Sequence, residues 1–296
     1  MRVLVVGGCG YIGARLVPLL QSVGHEVTVL DPKMFGSGDV KARAFSLDEF
    51  KDKDTVLWLA SISNNAVHER HPWLTTVVNR DMVECAAIQS ICCGVQHFIY
   101  ASSVAAYGNV ENADEDTPLN PTTQYGSAKR WCERMLSGQA NKLCWTVVRA
   151  ASVFGHSPNM RFDTPINAMV RSALTTGTVR VNGGAQKRCH VYIDDLCYLY
   201  QLIVTCRKDI VTHAVFNGVG AVETIAETAE TVARVCNAEI TRFPAADDRS
   251  YGVSWEKTKR ALQWYPQTDI ETGIAAMKTH RDKQYDDNDS ARERRI

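Results

Sequence analysis

Tyr125 and Lys129 stand four residues apart in Tyr125-Gly126-Ser127-Ala128-Lys129. On a helix that spacing puts a phenol and an ammonium on one face. Ser103 ends an apolar run, Gln96 to Tyr100 followed by Ala101-Ser102-Ser103, that reads as a strand. A phenol that can lose its proton, a cation beside it and a hydroxyl to orient the reacting oxygen suit acid–base work on an alcohol. Free tyrosine titrates near about 10, so work near neutral pH needs a depression of roughly three units, or about 4 kcal/mol. A neighbouring ammonium and a positively charged nicotinamide could supply it. A Tyr-x-x-x-Lys pair alone is common on helix surfaces, so its meaning depends on what faces it.

Facing it is a hydride carrier's site at the start of the chain. Val3 to Val6 is unbroken apolar sequence, followed by Gly7-Gly8-Cys9-Gly10-Tyr11-Ile12-Gly13. Ile12, Leu16, Leu19, Leu20 and Val23 then fall at helical intervals. Glycines therefore mark the turn from a buried parallel strand into a helix. Gly7 permits the turn, Gly10 lets a pyrophosphate approach the backbone, and Gly13 lets helix and strand pack closely. The helix N-terminus offers N–H groups and partial positive charge to the phosphates. A second apolar strand, Val27 to Leu30, ends in Asp31, at the distance expected for the acid that accepts from the adenosine ribose hydroxyls. An acid there repels a 2′-phosphate, so NAD is expected rather than NADP.

These groups need a scaffold. A short third strand is expected over Val40 to Phe45, then a strand over Thr55 to Leu59 and a long helix from Pro72 to Cys93 stopped by Gly94. The Ser103 strand, the Tyr125 helix to Gln139 and a strand from Lys142 to Arg149 follow. Strand alternating with helix predicts an α/β fold with a doubly wound parallel sheet. Ligands in such sheets bind beyond the carboxyl ends of the strands, where all the residues above lie. After Arg149 the alternation weakens. Residues 1–150 are read as the cofactor-binding domain and 151–280 as mainly a smaller α+β substrate-binding part, some of whose segments return to the sheet. A helix is expected from Glu223 to Cys236. Residues 281–296 form a polar tail expected to be frayed.

Composition narrows the function. The 296 residues carry 45% apolar and 22% charged side chains with zero formal net charge. Neither nucleic acid nor an anionic membrane is an expected partner. No apolar run reaches the roughly 18 residues of a membrane span. The N-terminus enters the first strand at once, so no signal peptide is expected. The ten cysteines form no Cys-x-x-Cys pair and read as reduced thiols of a cytoplasmic protein. His68-Glu69-Arg70-His71 lacks the further ligands of a metal centre, so no metal is expected.

The motifs together resemble the extended short-chain dehydrogenases/reductases, in the NAD-dependent epimerase/dehydratase family acting on nucleotide sugars. The resemblance covers about residues 1 to 275. It rests on the glycine turn, Asp31, Leu59-Ala60-Ser61, Asn79, Ser102 to Gly108, Tyr125-x-x-x-Lys129, Arg149 to Gly155, Arg188 to Asp195, and Leu262 to Pro266. It implies a Rossmann-type cofactor domain and makes Ser103, Tyr125 and Lys129 catalytic, with Lys129 also holding the nicotinamide ribose. It implies pyrophosphate contacts from Gly7, Gly10, Tyr11, Ile12 and Gly13. Leu59, Ala60 and Ser61 would line the cofactor, with Asn79 near it. Arg188 and Arg249 would approach the diphosphate of a nucleotide-sugar substrate, where guanidinium geometry suits phosphate. The helices near 72–93 and 124–140 would form a homodimer contact, with Trp131 and Cys132 as candidates for it.

Departures from the family's patterns set the expected reaction. Val104 and Ala105 follow Ser103 where sugar dehydratases carry Asp-Glu, which argues against a 4,6-dehydratase. Ala150-Ala151-Ser152 replaces the Tyr-Phe-Asn common in sugar epimerases, leaving Ser152 as the substrate-facing residue of a wider pocket. Ser46 or Asp48 stands where an aspartate usually meets the adenine. The expected activity is C4 epimerisation by transient oxidation and re-reduction. A one-way nucleotide-sugar ketoreductase or dehydrogenase, and a non-catalytic nucleotide-sensing protein, stay open as alternatives.

Overall fold

A computed structural model describes residues 1–31, 47–63, 67, 70–244, 249–281 and 285. Strands β1 (Arg2–Val6), β2 (Glu26–Leu30), β3 (Thr55–Trp58), β4 (His97–Ser103), β6 (Trp145–Ala150) and β10 (Ala214–Gly218) form one sheet in the order β10-β6-β4-β3-β1-β2. Every pairing in it is parallel. The chain runs outward one way through β1 and β2, and the other way through β3, β4, β6 and β10. The direction reverses between β1 and β3, and there the glycine turn leaves β1. The expected strand over Val40 to Phe45, and Ser46, lie outside the described residues.

The inner strands β1, β3 and β4 are mostly apolar because both faces are covered, whereas the edge strand β2 is only half-buried. Val3 and Val5 enter one core cluster and Leu4 and Val6 the other. Leu57 and Ile99 likewise oppose Val56 and Phe98. Burying each such side chain is worth roughly 1.5–3 kcal/mol, so the sheet is a rigid floor for whatever its edge carries.

The helix expected from Pro72 is one helical run with a change of winding. Pro72–Thr76 and Met82–Cys92 are α-helical, and Val77–Asp81 between them is a π turn. Gly94, at φ +68°, ends it. The Tyr125 helix spans Gln124–Ser137. Strand β5 (Val110–Ala113) pairs with β13 (Tyr251–Val253). Strand β9 (Lys187–Tyr192) lies between β7 (Ser152–Phe154) and β11 (Ala221–Thr224). Glu223 belongs to β11, opposite Arg188. The helix expected from Glu223 starts instead at Ile225, where Thr224 and Glu227 form a reciprocal capping box. The tail expectation meets one docked residue. Tyr285 is fully buried, its ring edge-on to Phe162 at 5.1 Å, and its carbonyl accepts from Arg171 Nε at 3.1 Å.

Two buried histidines give the fold a pH dependence. His97, at the start of β4, is held between Thr146 Oγ1 (2.7 Å) and Lys208 Nζ (2.9 Å). Burial first, and the Lys208 charge second, lower its pKa to about 3. His190 in β9 is also fully buried. Burial and then Arg188 lower it to about 3 as well. The unfolded chain binds these protons near 6.5 and the folded chain does not. Their stabilising neutral state is therefore intact above pH 6.5, and stability falls as pH drops from there toward 3. Each contributes a slope of up to about 1.4 kcal/mol per pH unit. Thermal melts of His190→Leu between pH 7 and 4 should show a flatter acid limb than wild type. An unchanged slope would show that His190 is protonated in the folded chain.

Candidate active site

The glycine turn is shaped from both sides. Gly7 has φ +88°, and a Cβ on it would lie 2.7 Å from Ala60 N at the end of β3. A Cβ on Gly13 would lie 2.5 Å from Gly7 O, so the helix Gly13–Ser22 enters directly over the turn. At Gly10 the same test meets only Gly7 O, at 3.1 Å. That open side is where a diphosphate can come against the backbone, and no side chain caps the helix behind it. Asp31 leaves β2 alongside and accepts from Cys9 N at 3.0 Å, placing a buried carboxylate at the turn. The turn, the uncapped helix and this acid fit NAD.

A second loop clamps the turn from the substrate side. Tyr11 is buried and donates its hydroxyl to Gly155 O at 2.7 Å, while Asn167 Nδ2 donates back to it at 3.0 Å. Ser157 Oγ donates to Tyr11 O, and Asn159 Nδ2 to Cys9 O, both at 2.7 Å. Tyr11's side chain is thus spoken for, and its backbone is what it can offer a phosphate. Ser157, Asn159 and Asn167 carry no motif that would have marked them in the sequence.

Asn79 sits in the π turn and is buried. Its Oδ1 accepts from Ser61 Oγ (3.1 Å) and Ile62 N (2.8 Å), and its Nδ2 donates to Ile62 O (2.7 Å). It braces the Ala60-Ser61-Ile62 exit from β3. Leu59 and Ala60 are held beside β1 by backbone bonds to Val6 O.

Thr123 caps the Tyr125 helix by accepting from Gly126 N at 3.0 Å. A Cβ on Gly126 would lie 2.4 Å from Ala105 O, so the helix start packs directly on the segment following Ser103. Lys129 is only 2% exposed. Its Nζ donates to Ala101 O at 2.7 Å and lies 5.4 Å from the Tyr125 ring centre. Lys129 also lies 4.8 Å from the Tyr100 ring, but Tyr100 is wholly buried and burial pushes its phenol well up. Tyr125 is half-buried and is the phenol at the mouth. Ser103 Oγ accepts from Ala105 N at 3.2 Å, which fixes its rotamer.

Ser152 begins β7 in register with His190. Arg188, largely buried, lies 5.4 Å from the Tyr251 ring and donates to Lys187 O and to Arg249 O. The two arginines predicted to meet a diphosphate are thus neighbours, through the backbone of one. Arg161 and Asp163 pair with each other at 2.5 and 3.0 Å. His156 stacks on His280 at 5.2 Å. The glycine turn after β1, Ser103 at the end of β4 and the Tyr125 helix start packed beyond it thus share one edge of the main sheet, while Arg188 and Arg249 are neighbours on β9 and the segment before β13.

Residues 3–217 match the profile of the NAD dependent epimerase/dehydratase family. A UDP-glucose 4-epimerase of Lactobacillus helveticus is 27% identical, over 97% of this chain and all of that protein. A low-salt glycan biosynthesis protein of Haloferax volcanii is 24% identical, over 93% and 97%. Among solved structures, UDP-glucose 4-epimerase of Thermus thermophilus with NAD superposes with TM-score 0.81 at 23% identity, covering 95% of this chain and 98% of that one. A dTDP-glucose 4,6-dehydratase of Streptomyces venezuelae gives the same TM-score at 20% identity, over 94% and 95%. Epimerase and dehydratase share this fold, so the reaction has to be read from the site.

Proposed function

The chain belongs to the NAD dependent epimerase/dehydratase family, and on that premise we propose that it epimerises a nucleotide sugar at C4. The placement of Tyr125 and Lys129 beside Ser103, on the edge that carries the glycine turn, supports this reading most. Bound at that turn, NAD supplies a reversible hydride acceptor. Tyr125 takes the proton of the C4 hydroxyl, and the hydride leaves the same carbon, giving a ketone. Ser103 hydrogen-bonds that oxygen, and Lys129 favours the charged phenol and holds the nicotinamide ribose. With NAD bound, a hydride could be returned to C4 once the sugar had turned its other face, and Tyr125 would then give the proton back. No net oxidation results. Arg188 and Arg249 hold the diphosphate, and Ser152 faces the sugar. Water loss would need an acid and a base next to Ser103. Buried Val104 and half-buried Ala105 stand there, and neither side chain can donate or accept a proton.

The test is direct. Protein denatured after purification should release NAD, identified by mass spectrometry. Native protein should interconvert the C4 epimers of a UDP-, GDP- or dTDP-sugar, followed by NMR, with no cofactor added. Stoichiometric consumption of added NADH would make it a ketoreductase, and binding without turnover a sensor.

Its proposed assembly is a homodimer through the helices flanking the Arg80–Trp131 stack, whose ring-to-guanidinium distance is 4.4 Å. Trp73, in the first turn of the helical run that carries Arg80, is 67% exposed. Light scattering should give twice the 32.9 kDa chain mass; a monomer at micromolar concentration would remove this proposal. No helix of the described residues is long and apolar enough to cross a membrane. None of the ten cysteines, all of them among the described residues, is in a disulfide, which fits the reducing cytoplasm proposed for it.

A further inference from the structure

Tyr125 and Lys129 continue in register to a third residue that the reaction does not use. Glu133, four residues on, is 7% exposed and aims at the sheet. It accepts from Ser102 Oγ at 2.5 Å. Arg149 Nε and Nη2 reach its Oε2 at 3.1 and 2.7 Å, and Nε also lies 3.2 Å from Oε1. Ser102 and Arg149 are themselves register partners across β4 and β6, one residue before Ser103 and Ala150. The Tyr125 helix is therefore tied to β4 at two successive residues, Lys129 to Ala101 and Glu133 to Ser102.

Two ties on one face define the roll of a helix about its axis, which one tie leaves open. Rolling changes the direction in which the phenol and the ammonium point. Arg149 is fixed in turn. Its Nη1 donates to Tyr107 OH (2.8 Å) and Glu115 O (3.1 Å), and Tyr107 donates to Asn217 Oδ1 in β10 (2.9 Å). Asn217 Nδ2 donates to Ser254 O, and Thr258 Oγ1 donates to Asn217 O, both at 2.9 Å. A fork of charge-assisted bonds is stiffer than a single neutral contact.

Resting on the functional reading above, we propose that Glu133 is a positioning residue, which sets Tyr125 and Lys129 against Ser103 through Ser102 and Arg149. Its effect belongs on kcat. Most of the binding contacts for substrate and cofactor lie elsewhere, at the glycine turn and at Arg188 and Arg249, but proton transfer needs the phenol closely aligned with the reacting hydroxyl. A displacement of about 1 Å costs about 10²-fold.

Glu133→Ala should lower kcat by about 10²-fold, with KM and NAD affinity within about threefold of wild type. Glu133→Gln keeps the shape: its oxygen can accept from Arg149 and its amide can donate to Ser102. It should recover kcat to within about fivefold of wild type. A kcat for Glu133→Ala within threefold of wild type overturns the proposal, as do parallel losses of kcat, KM and NAD affinity. If Glu133→Ala shows no cooperative melt, Ser102→Ala removes the β4 tie alone. About a tenfold fall in kcat at steady KM supports the proposal, and an unchanged kcat overturns it. If wild type converts no nucleotide sugar, the functional reading falls by itself. A crystal structure of Glu133→Ala, or of Ser102→Ala, then decides. Lys129 leaving Ala101 O supports positioning, and Lys129 and Ser103 unmoved overturn it.

Discussion

Phenylalanine in place of Tyr125 should reduce turnover by about 10³-fold and leave NAD bound. The ring packs at the helix start in either case, so shape and folding are preserved. What disappears is the atom that takes and returns the sugar's proton. General acid–base groups contribute typically about 10²–10⁴ in rate. Here the same oxygen acts in both halves of the reaction, so the loss should fall in the upper part of that range. Lys129 keeps its bond to Ala101 O, and the Gly10 side of the glycine turn is untouched. Cofactor content measured by mass spectrometry should therefore match wild type. Turnover within tenfold of wild type would mean that another group moves the proton. Tyr100 cannot be that group, because it is fully buried beneath Lys129.

Comparison of Tyr125 with Glu133 shows where sequence reading works. The glycine turn, Asp31 and Tyr125-x-x-x-Lys129 are local patterns. Each is set by neighbours within a few residues, by a buried strand that must end in a turn or a helix that repeats every 3.6 residues. Strands β1, β2, β3, β4 and β6 of the main sheet are legible for the same reason, from their short, mainly apolar runs. Glu133 has equally regular spacing, but a glutamate eight residues after a tyrosine reads as a solvated helix face. Its partners, Ser102 and Arg149, come from two other strands, and only the parallel register between β4 and β6 brings them together. Asn79 stands out in the sequence only through the family resemblance, whereas its task of bracing Ser61 and Ile62 depends on a π turn that hydrophobic periodicity does not reveal. The clamp of Ser157, Asn159 and Asn167 on the glycine turn is formed by hydrogen bonds, two of them to its backbone carbonyls and one to the Tyr11 hydroxyl. Hydrogen bonds to backbone leave no trace in residue type. Short strands such as β7 and β11 lacked enough length for an alternating pattern to emerge.

Arg149→Met should destabilise the protein by about 3–5 kcal/mol, the range for removing one partner of a buried ion pair. Arg149 is 5% exposed, and burial alone would lower its pKa. The bonds from Glu133 outweigh that and hold the guanidinium above its ordinary range. Without Arg149, Glu133 keeps a charge in a site that water does not reach, with only Ser102 to bond it. Tyr107 OH and Glu115 O lose their donor as well. Urea melts should show the midpoint falling with little change in slope. Adding Glu133→Leu removes the stranded carboxylate, and the double variant should regain most of the loss, since apolar residues of similar volume often replace a buried pair at little cost. That double variant separates two roles of one ion pair. If the pair served stability alone, a restored midpoint would bring activity back with it. If it fixes the roll of the Tyr125 helix, the double variant should be stable, hold NAD, and still turn over slowly.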